Sequence, residues 1–282
     1  MTGARLAGAR FDSVDVDGDR ALAAVARVHD AALARRLDAA CRGSTPAVFD
    51  CADNSISAGT YRAAVAAVRT TLAAVDAVLE DRAPVAWAAV RPPGHHALRA
   101  RAMGFCFFNN AAIAAEELLA RGARSVAVVD IDVHHGNGTQ EHFWARRDVF
   151  YLSLHRYPFY PGSGAADEIG GGEGRGFTRN FPLAAGADDD VYVAALAAGV
   201  EDVMRVTSPD AWVLSAGFDA HVADPLGGMA VTSVGFERVG RMLRAAAAGK
   251  PVVAVLEGGY QLTALVESVH AFLTGVVGSG EA

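Results

Sequence analysis

The chain has 282 residues, 52% of them hydrophobic, and a formal net charge of -7. That is ample material for a sizeable core, and with no Lys/Arg block interleaved with aromatics it argues against direct nucleic-acid binding. No run reaches the roughly 20 apolar residues of a membrane span, and the opening MTGARLAGARFDSVDVDGD lacks a signal-peptide core, so the expectation is a soluble cytoplasmic protein that does not engage membranes.

Residues 21–40 and 60–80 place apolar side chains at helical spacing among good helix formers, which predicts packed helices. Residues 85–90, 125–132, 149–154, 211–217 and 252–256 are short, almost continuous apolar runs, the pattern of strands buried on both faces of a parallel sheet. Helical segments lie between them at 110–121, 190–206 and 234–248, and Asp188–Asp190 is placed to cap the second of these. The glycine cluster at 170–176 has no Lys-Ser/Thr and runs into FTRNFPL rather than a helix, so it reads as a surface turn and not a phosphate cradle. Strand and helix alternate with no repeat, linker or boundary, which predicts one α/β domain over 1–282 with a mostly parallel sheet flanked by helices.

In such a sheet ligands sit beyond the carboxyl ends of the strands. RPPGHH, DIDVHH, HRYPFYPGSG, GFDAHVADPLGG and EGGY each follow one of the five strand-like runs. The three cysteines, Cys41, Cys51 and Cys106, are odd in number and form no CxxC, which leaves His and carboxylate as donors for any metal. Asp132 and His134, two apart on extended chain, point the same way and could grip one ion, although many such pairs are only surface or hydrogen-bonded core groups. Asp224, in the tight turn DPLGG, is available as a third oxygen donor. Two carboxylates and an imidazole leave a divalent ion open positions, as in catalytic sites, and His95 and His96, after a stiff Pro-Pro-Gly turn, are candidate bases.

The ordered motifs RPPGHHA, GFCFFNNAAIAA, VDIDVHHGNGTQ, SLHRYPFYPGSG, NFPLAAG, LSAGFDAHVADPLGGM and LEGGY, spread over roughly 48 to 275, resemble the zinc-dependent histone deacetylase family in its bacterial class II-like branch, with the acetoin-utilisation proteins and acetylpolyamine amidohydrolases. The resemblance implies the arginase/deacetylase fold, Asp132, His134 and Asp224 as ligands of Zn2+ (or of Fe2+, Co2+ or Mn2+), and removal of an acetyl or other acyl group from a lysine side chain or lysine-like amine by metal-activated water. It implies His96 as general base, His95 as electrostatic stabiliser, and Tyr260 as hydrogen-bond donor to the carbonyl and its oxyanion. Asp130 would support His95 and, with Ser153 and the backbone near Leu154, hold a structural K+ or Na+; Asn137 would support His96 and, being uncharged, leave it less basic than an aspartate would. Gly104, Phe105 and Tyr160 would line the acyl-lysine channel.

His29, His135, His142, His155, His221 and His270 carry no needed chemistry and read as structural or supporting residues, and Cys106 as a buried inert thiol. Relatives usually open with a strand and a His/Pro-rich segment that forms a sheet edge and part of the channel mouth. Residues 1–20 show nothing like it, so a wider entrance, a partner chain over the gap or a misassigned start is expected, with Asp50 or Asp53 available to orient substrate. Acetylpolyamine hydrolysis and a silent metal-binding regulator are the alternative functions, and monomer and homo-oligomer both stay open.

Overall fold

The computed structural model describes residues 14, 16–43 and 46–278, so the expectations for most of the first 15 residues lie outside what is described. The elements in chain order are α1 (Gly18–Val28), α2 (Ala31–Arg42), β1 (Ala47–Val48), β2 (Ser55–Ile56), α3 (Thr60–Leu79), β3 (Val85–Ala88), α4 (Asn110–Ala120), β4 (Val126–Asp130), α5 (Asn137–Phe143), β5 (Val149–Arg156), β6 (Thr178–Leu183), α6 (Asp189–Val206), β7 (Ala211–Ala216), α7 (Ser233–Ala247), β8 (Val252–Leu256) and α8 (Leu262–Val277). Six strands form one sheet in the order β3-β8-β7-β4-β5-β6, and every pairing in it is parallel. β1 and β2 make a separate antiparallel pair.

Because successive side chains of a strand point to opposite faces, the apolar runs feed two cores at once. Val126, Val128, Tyr151, Val213, Val253 and Val255 pack with α1 to α4. Ala127, Val129, Phe150, Leu152, Trp212, Leu214 and Ala254 pack with α6 to α8. With both faces apolar, a one-residue slip would cost little burial, so the hydrophobic pattern alone sets the register weakly. Polar residues at the strand ends supply the missing specification: Asp130 is paired with Ser153 on one side and Ser215 on the other.

The chain leaves β4 outward to β5 and β6, then returns through α6 to β7 and continues the other way to β8. The order therefore reverses between β4 and β7, where a crevice opens beyond the carboxyl ends of the strands.

Two segments differ from the sequence expectation. Residues 21–40 are two helices, because Asp30 caps α2 through the Ala32 N–H and the buried His29 ends α1. FTRNFPL contains the edge strand β6, whose half-polar pattern hid it, with the glycine cluster forming a turn against Trp144. Among the described residues no helix is long and apolar enough to cross a membrane.

His29 fastens this helical layer. Its Nδ1 donates to the Leu98 carbonyl at 2.9 Å and its Nε2 accepts the Asn109 N–H at 2.8 Å. Burial lowers its pKa to about 4, so as pH falls below about 6.5 the unfolded chain takes up the proton before the folded one does. The contribution is complete above that pH and is lost between about 6.5 and 4. Wild-type stability, followed by urea midpoints, should fall across this window with a slope steeper than that of His29→Gln by about 1.4 kcal/mol per pH unit; equal slopes would contradict the assignment.

Candidate active site

Three donors meet in the crevice. Asp132 and His134 follow β4 and Asp219 follows β7, and one ligand atom from each lies within 4.8 Å of the others. His134 Nδ1 stands 3.1 Å from Asp132 Oδ1 and 3.1 Å from Asp219 Oδ2. The remaining carboxylate oxygens are occupied elsewhere: Asp132 Oδ2 accepts the Gly258 N–H at 2.8 Å and Asp219 Oδ1 the Val133 N–H at 2.9 Å. Each aspartate thus has one oxygen anchored and one aimed at the common point. Two carboxylates and an imidazole fit a divalent ion such as zinc and leave coordination positions free for chemistry.

This corrects the third donor. Asp224 is not part of the convergence; its Oδ2 accepts the N–H groups of Tyr260 at 2.7 Å and Gln261 at 3.3 Å, and its Oδ1 that of Leu226 at 2.9 Å. Five residues along an irregular loop carry no periodicity, so the spacing could not tell Asp219 from Asp224.

His95 and His96 lie with ring centroids 4.0 Å apart, yet their surroundings drive them in opposite directions. His95 Nδ1 is 3.0 Å from Asp130 Oδ2. Burial opposes a charge there, but Asp130, Asp132 and Glu257 together raise its pKa well above the ordinary value. His96 Nδ1 donates to Asn137 Oδ1 at 2.8 Å, which leaves Nε2 as the free lone pair. Burial and the neighbouring His95 lower its pKa well below the ordinary value. The surroundings thus favour a proton on His95 and disfavour one on His96.

The loop that bears them is tied at both ends. Glu257 Oε2 accepts the N–H groups of Gly94 at 2.6 Å and His95 at 3.1 Å, while its Oε1 accepts from Ser215 Oγ at 3.0 Å. The His95 carbonyl accepts from Gly138 and Thr139 in the first turn of α5. Glu257 is fully buried, and its pKa is pushed up to about 7 by burial, with His95 pulling the other way. Sequence reasoning missed Glu257 and also Tyr151, whose hydroxyl donates to Asp130 Oδ2 at 3.2 Å. The available signal was the same for both: a polar group in or beside an otherwise apolar strand.

Phe105 and Tyr160 are 41% and 38% exposed, so neither fills the core. Tyr160 meets the His96 ring edge-on at 5.1 Å, and Phe105 meets Tyr260 at 6.0 Å. Gly104 has φ +60 and lies so close to His96 that a Cβ would come within 2.3 Å of the ring, so glycine answers both demands. Asp53 Oδ2 accepts the Tyr160 hydroxyl at 2.8 Å and the Gly104 N–H at 3.1 Å, bridging the two segments. Asp50 is instead paired with Arg36 and accepts the Ala102 N–H at 2.9 Å. The Tyr260 phenol stays protonated, its pKa raised by burial and by the charges of Asp219 and Asp132.

Ser153 Oγ lies 2.8 Å from His155 Nδ1, and His155 Nε2 donates to the Gly164 carbonyl. The serine must then be the donor to Nδ1, and its lone pairs stay available beside Asp130. Leu154 is buried next to it. Three other histidines find local partners: His135 bonds Ser163 and Gln140, His142 pairs with Glu116, and His221 accepts from the Ala223 N–H.

Residues 14–276 match the histone deacetylase domain. The chain belongs to the histone deacetylase family. It is 46% identical over 229 residues to an acetylpolyamine amidohydrolase of Burkholderia pseudomallei, covering 79% of this chain and 66% of that one. It is also 46% identical over 205 residues to histone deacetylase 15 of Arabidopsis thaliana, covering 71% of this chain and 37% of that one. The chain thus spans about two thirds or less of the length of these curated relatives. The crystal structure of an acetylpolyamine aminohydrolase from Burkholderia pseudomallei superposes with a TM-score of 0.83 at 38% identity, over 90% of this chain and 82% of that one. The expected deacetylase fold is thereby shown.

Substitutions of residues that merely support a metal ligand cost about 10- to 100-fold in affinity or activity, so removing a ligand should cost more. Asp219→Asn is expected to weaken zinc binding by over about 100-fold, measured by competition with a chromophoric chelator. Wild-type affinity in that variant would contradict the assignment.

Proposed function

We propose that this chain is a metal-dependent amidohydrolase that removes an acetyl or other acyl group from a lysine side chain or a lysine-like amine. The observation that carries the reading is the three-donor cluster of Asp132, His134 and Asp219 beside the buried pair His95 and His96, whose rings lie 4.0 Å apart. A divalent ion held there, zinc by the donor set with Fe2+, Co2+ or Mn2+ as alternatives, would polarise the amide carbonyl and acidify water.

This chain's own residues supply the remainder. His96 Nε2 is free to take a proton from the attacking water and to return it to the departing amine. Asp130 holds His95 as a cation that favours the developing negative charge, and Asn137 orients His96 without offsetting its charge. Tyr260, protonated, would donate to the oxyanion. Phe105 and Tyr160 would flank the methylene chain of the substrate and keep water off it, with Gly104 letting the backbone come close. Asp130, Ser153 and the Leu154 backbone are proposed as the seat of a K+ or Na+ ion, in keeping with the free lone pairs of Ser153 Oγ.

The similarity to an acetylpolyamine amidohydrolase supports a second reading, in which the substrate is an acetylpolyamine or another small acylated amine. Turnover of an acetyl-lysine peptide compared with N-acetylputrescine separates the two. Chelator should abolish either activity and zinc restore it. His96→Ala should lower kcat by about 10²- to 10⁴-fold and Tyr260→Phe by about 10²- to 10³-fold without loss of the folded state, and full activity in either variant would refute its role. A folded, zinc-loaded protein that turns over no acylated amine would instead indicate a silent metal-binding protein.

A further inference from the structure

We propose that Asp224 sets the position of the Tyr260 phenol, acting through the backbone of the loop after β8; this rests on the oxyanion-donor role given to Tyr260 above. The tyrosine follows Gly258 and Gly259, and Gly259 has φ +133, so the chain leading to it has little intrinsic preference for one direction. Gly258 is required there for another reason. A Cβ on it would come within 2.2 Å of Asp219 Oδ2 and 2.6 Å of Asp132 Oδ2, so the loop must pass directly over the carboxylates.

Among the described residues, the Tyr260 hydroxyl makes no hydrogen bond. The ring meets the edge of Phe105 at 6.0 Å and the Arg91 guanidinium at 5.7 Å, contacts that leave it free to slide. The firm attachment is at the main chain, where one carboxylate oxygen of Asp224 collects the N–H groups of both Tyr260 and Gln261. Gln261 in turn caps α8 by accepting the Ala264 N–H at 2.6 Å. Asp224 is itself fixed: its N–H donates to the His221 carbonyl at 2.8 Å, its second oxygen accepts from Leu226, and it is only 8% exposed.

Asp219 and Asp224 thus stand on one short loop with different duties. The first belongs to the three-donor cluster, and the second grips the segment that carries the phenol. The loop after β7 thereby fixes the separation between the electrophilic centre and the hydroxyl that faces it, a distance that oxyanion stabilisation requires to be right. Asp224 is a positioning residue and touches no reacting atom.

The test is a double-mutant cycle on the zinc-loaded full chain with an acylated-amine substrate: Asp224→Ala and Asp224→Asn, each alone and combined with Tyr260→Phe. Each single variant should keep one zinc per chain and an unchanged KM while kcat falls, by about 10- to 100-fold for Asp224→Ala and by less for Asp224→Asn, which retains one acceptor oxygen. In the Tyr260→Phe background either substitution should lower kcat no further, because the hydroxyl it would misplace is already gone. Multiplicative losses in the combined variants, or loss of zinc from folded Asp224→Asn, would overturn the proposal. Should Asp224→Ala fail to fold in a thermal melt, Asp224→Asn carries the cycle. Full activity in Tyr260→Phe alone would instead locate the error in the role of the tyrosine.

Discussion

The structure is organised around buried carboxyl groups. Asp130, Asp132, Asp219 and Glu257 are each no more than 1% exposed, gathered beyond the carboxyl ends of β4, β7 and β8. Isolated carboxylates in such a setting cost several kcal/mol each, so each must be met by donors or by positive charge. The chain meets them with its own loops. Backbone N–H groups of Gly94, His95, Val133 and Gly258 donate to Glu257, Asp219 and Asp132, and the carboxylates favour the protonated form of the His95 ring among them. The loops that carry the proposed catalytic groups are held in place by the groups that create the charge.

That arrangement accounts for the division of labour between two adjacent histidines. Both are buried, and burial opposes the charged form of each. His95 faces anions that outweigh the penalty, whereas His96 faces a neutral amide and the positive charge of His95. One residue's shift helps to produce the other's. An aspartate in place of Asn137 would raise the basicity of His96 and weaken the contrast.

Much of this was legible before the fold was known, and the physical reason is the parallel sheet. Strands buried on both faces must be apolar throughout, so β4, β5, β7 and β8 announced themselves, and the polar residues that interrupt them marked the ends where a site could form. The strand β6 escaped because an edge strand need not be apolar. Side chains on extended chain kept a readable direction, as with Asp132 and His134. Those on the loop after β7 did not, so Asp224 was taken for the donor that Asp219 is placed to be. Glu257 was quoted within its motif without a role, because its partners Gly94, His95 and Ser215 lie more than 40 residues away in sequence.

The central claim is that Asp132, His134 and Asp219 share one ion. Anomalous diffraction at the zinc edge from crystals of the zinc-loaded protein tests it most directly. The account predicts a single strong peak in the crevice, about 2.0–2.2 Å from one atom of each of the three residues, with Asp224 still bonded to the backbone of Tyr260 and Gln261. A peak ligated by Asp224, or none at this cluster, would contradict it.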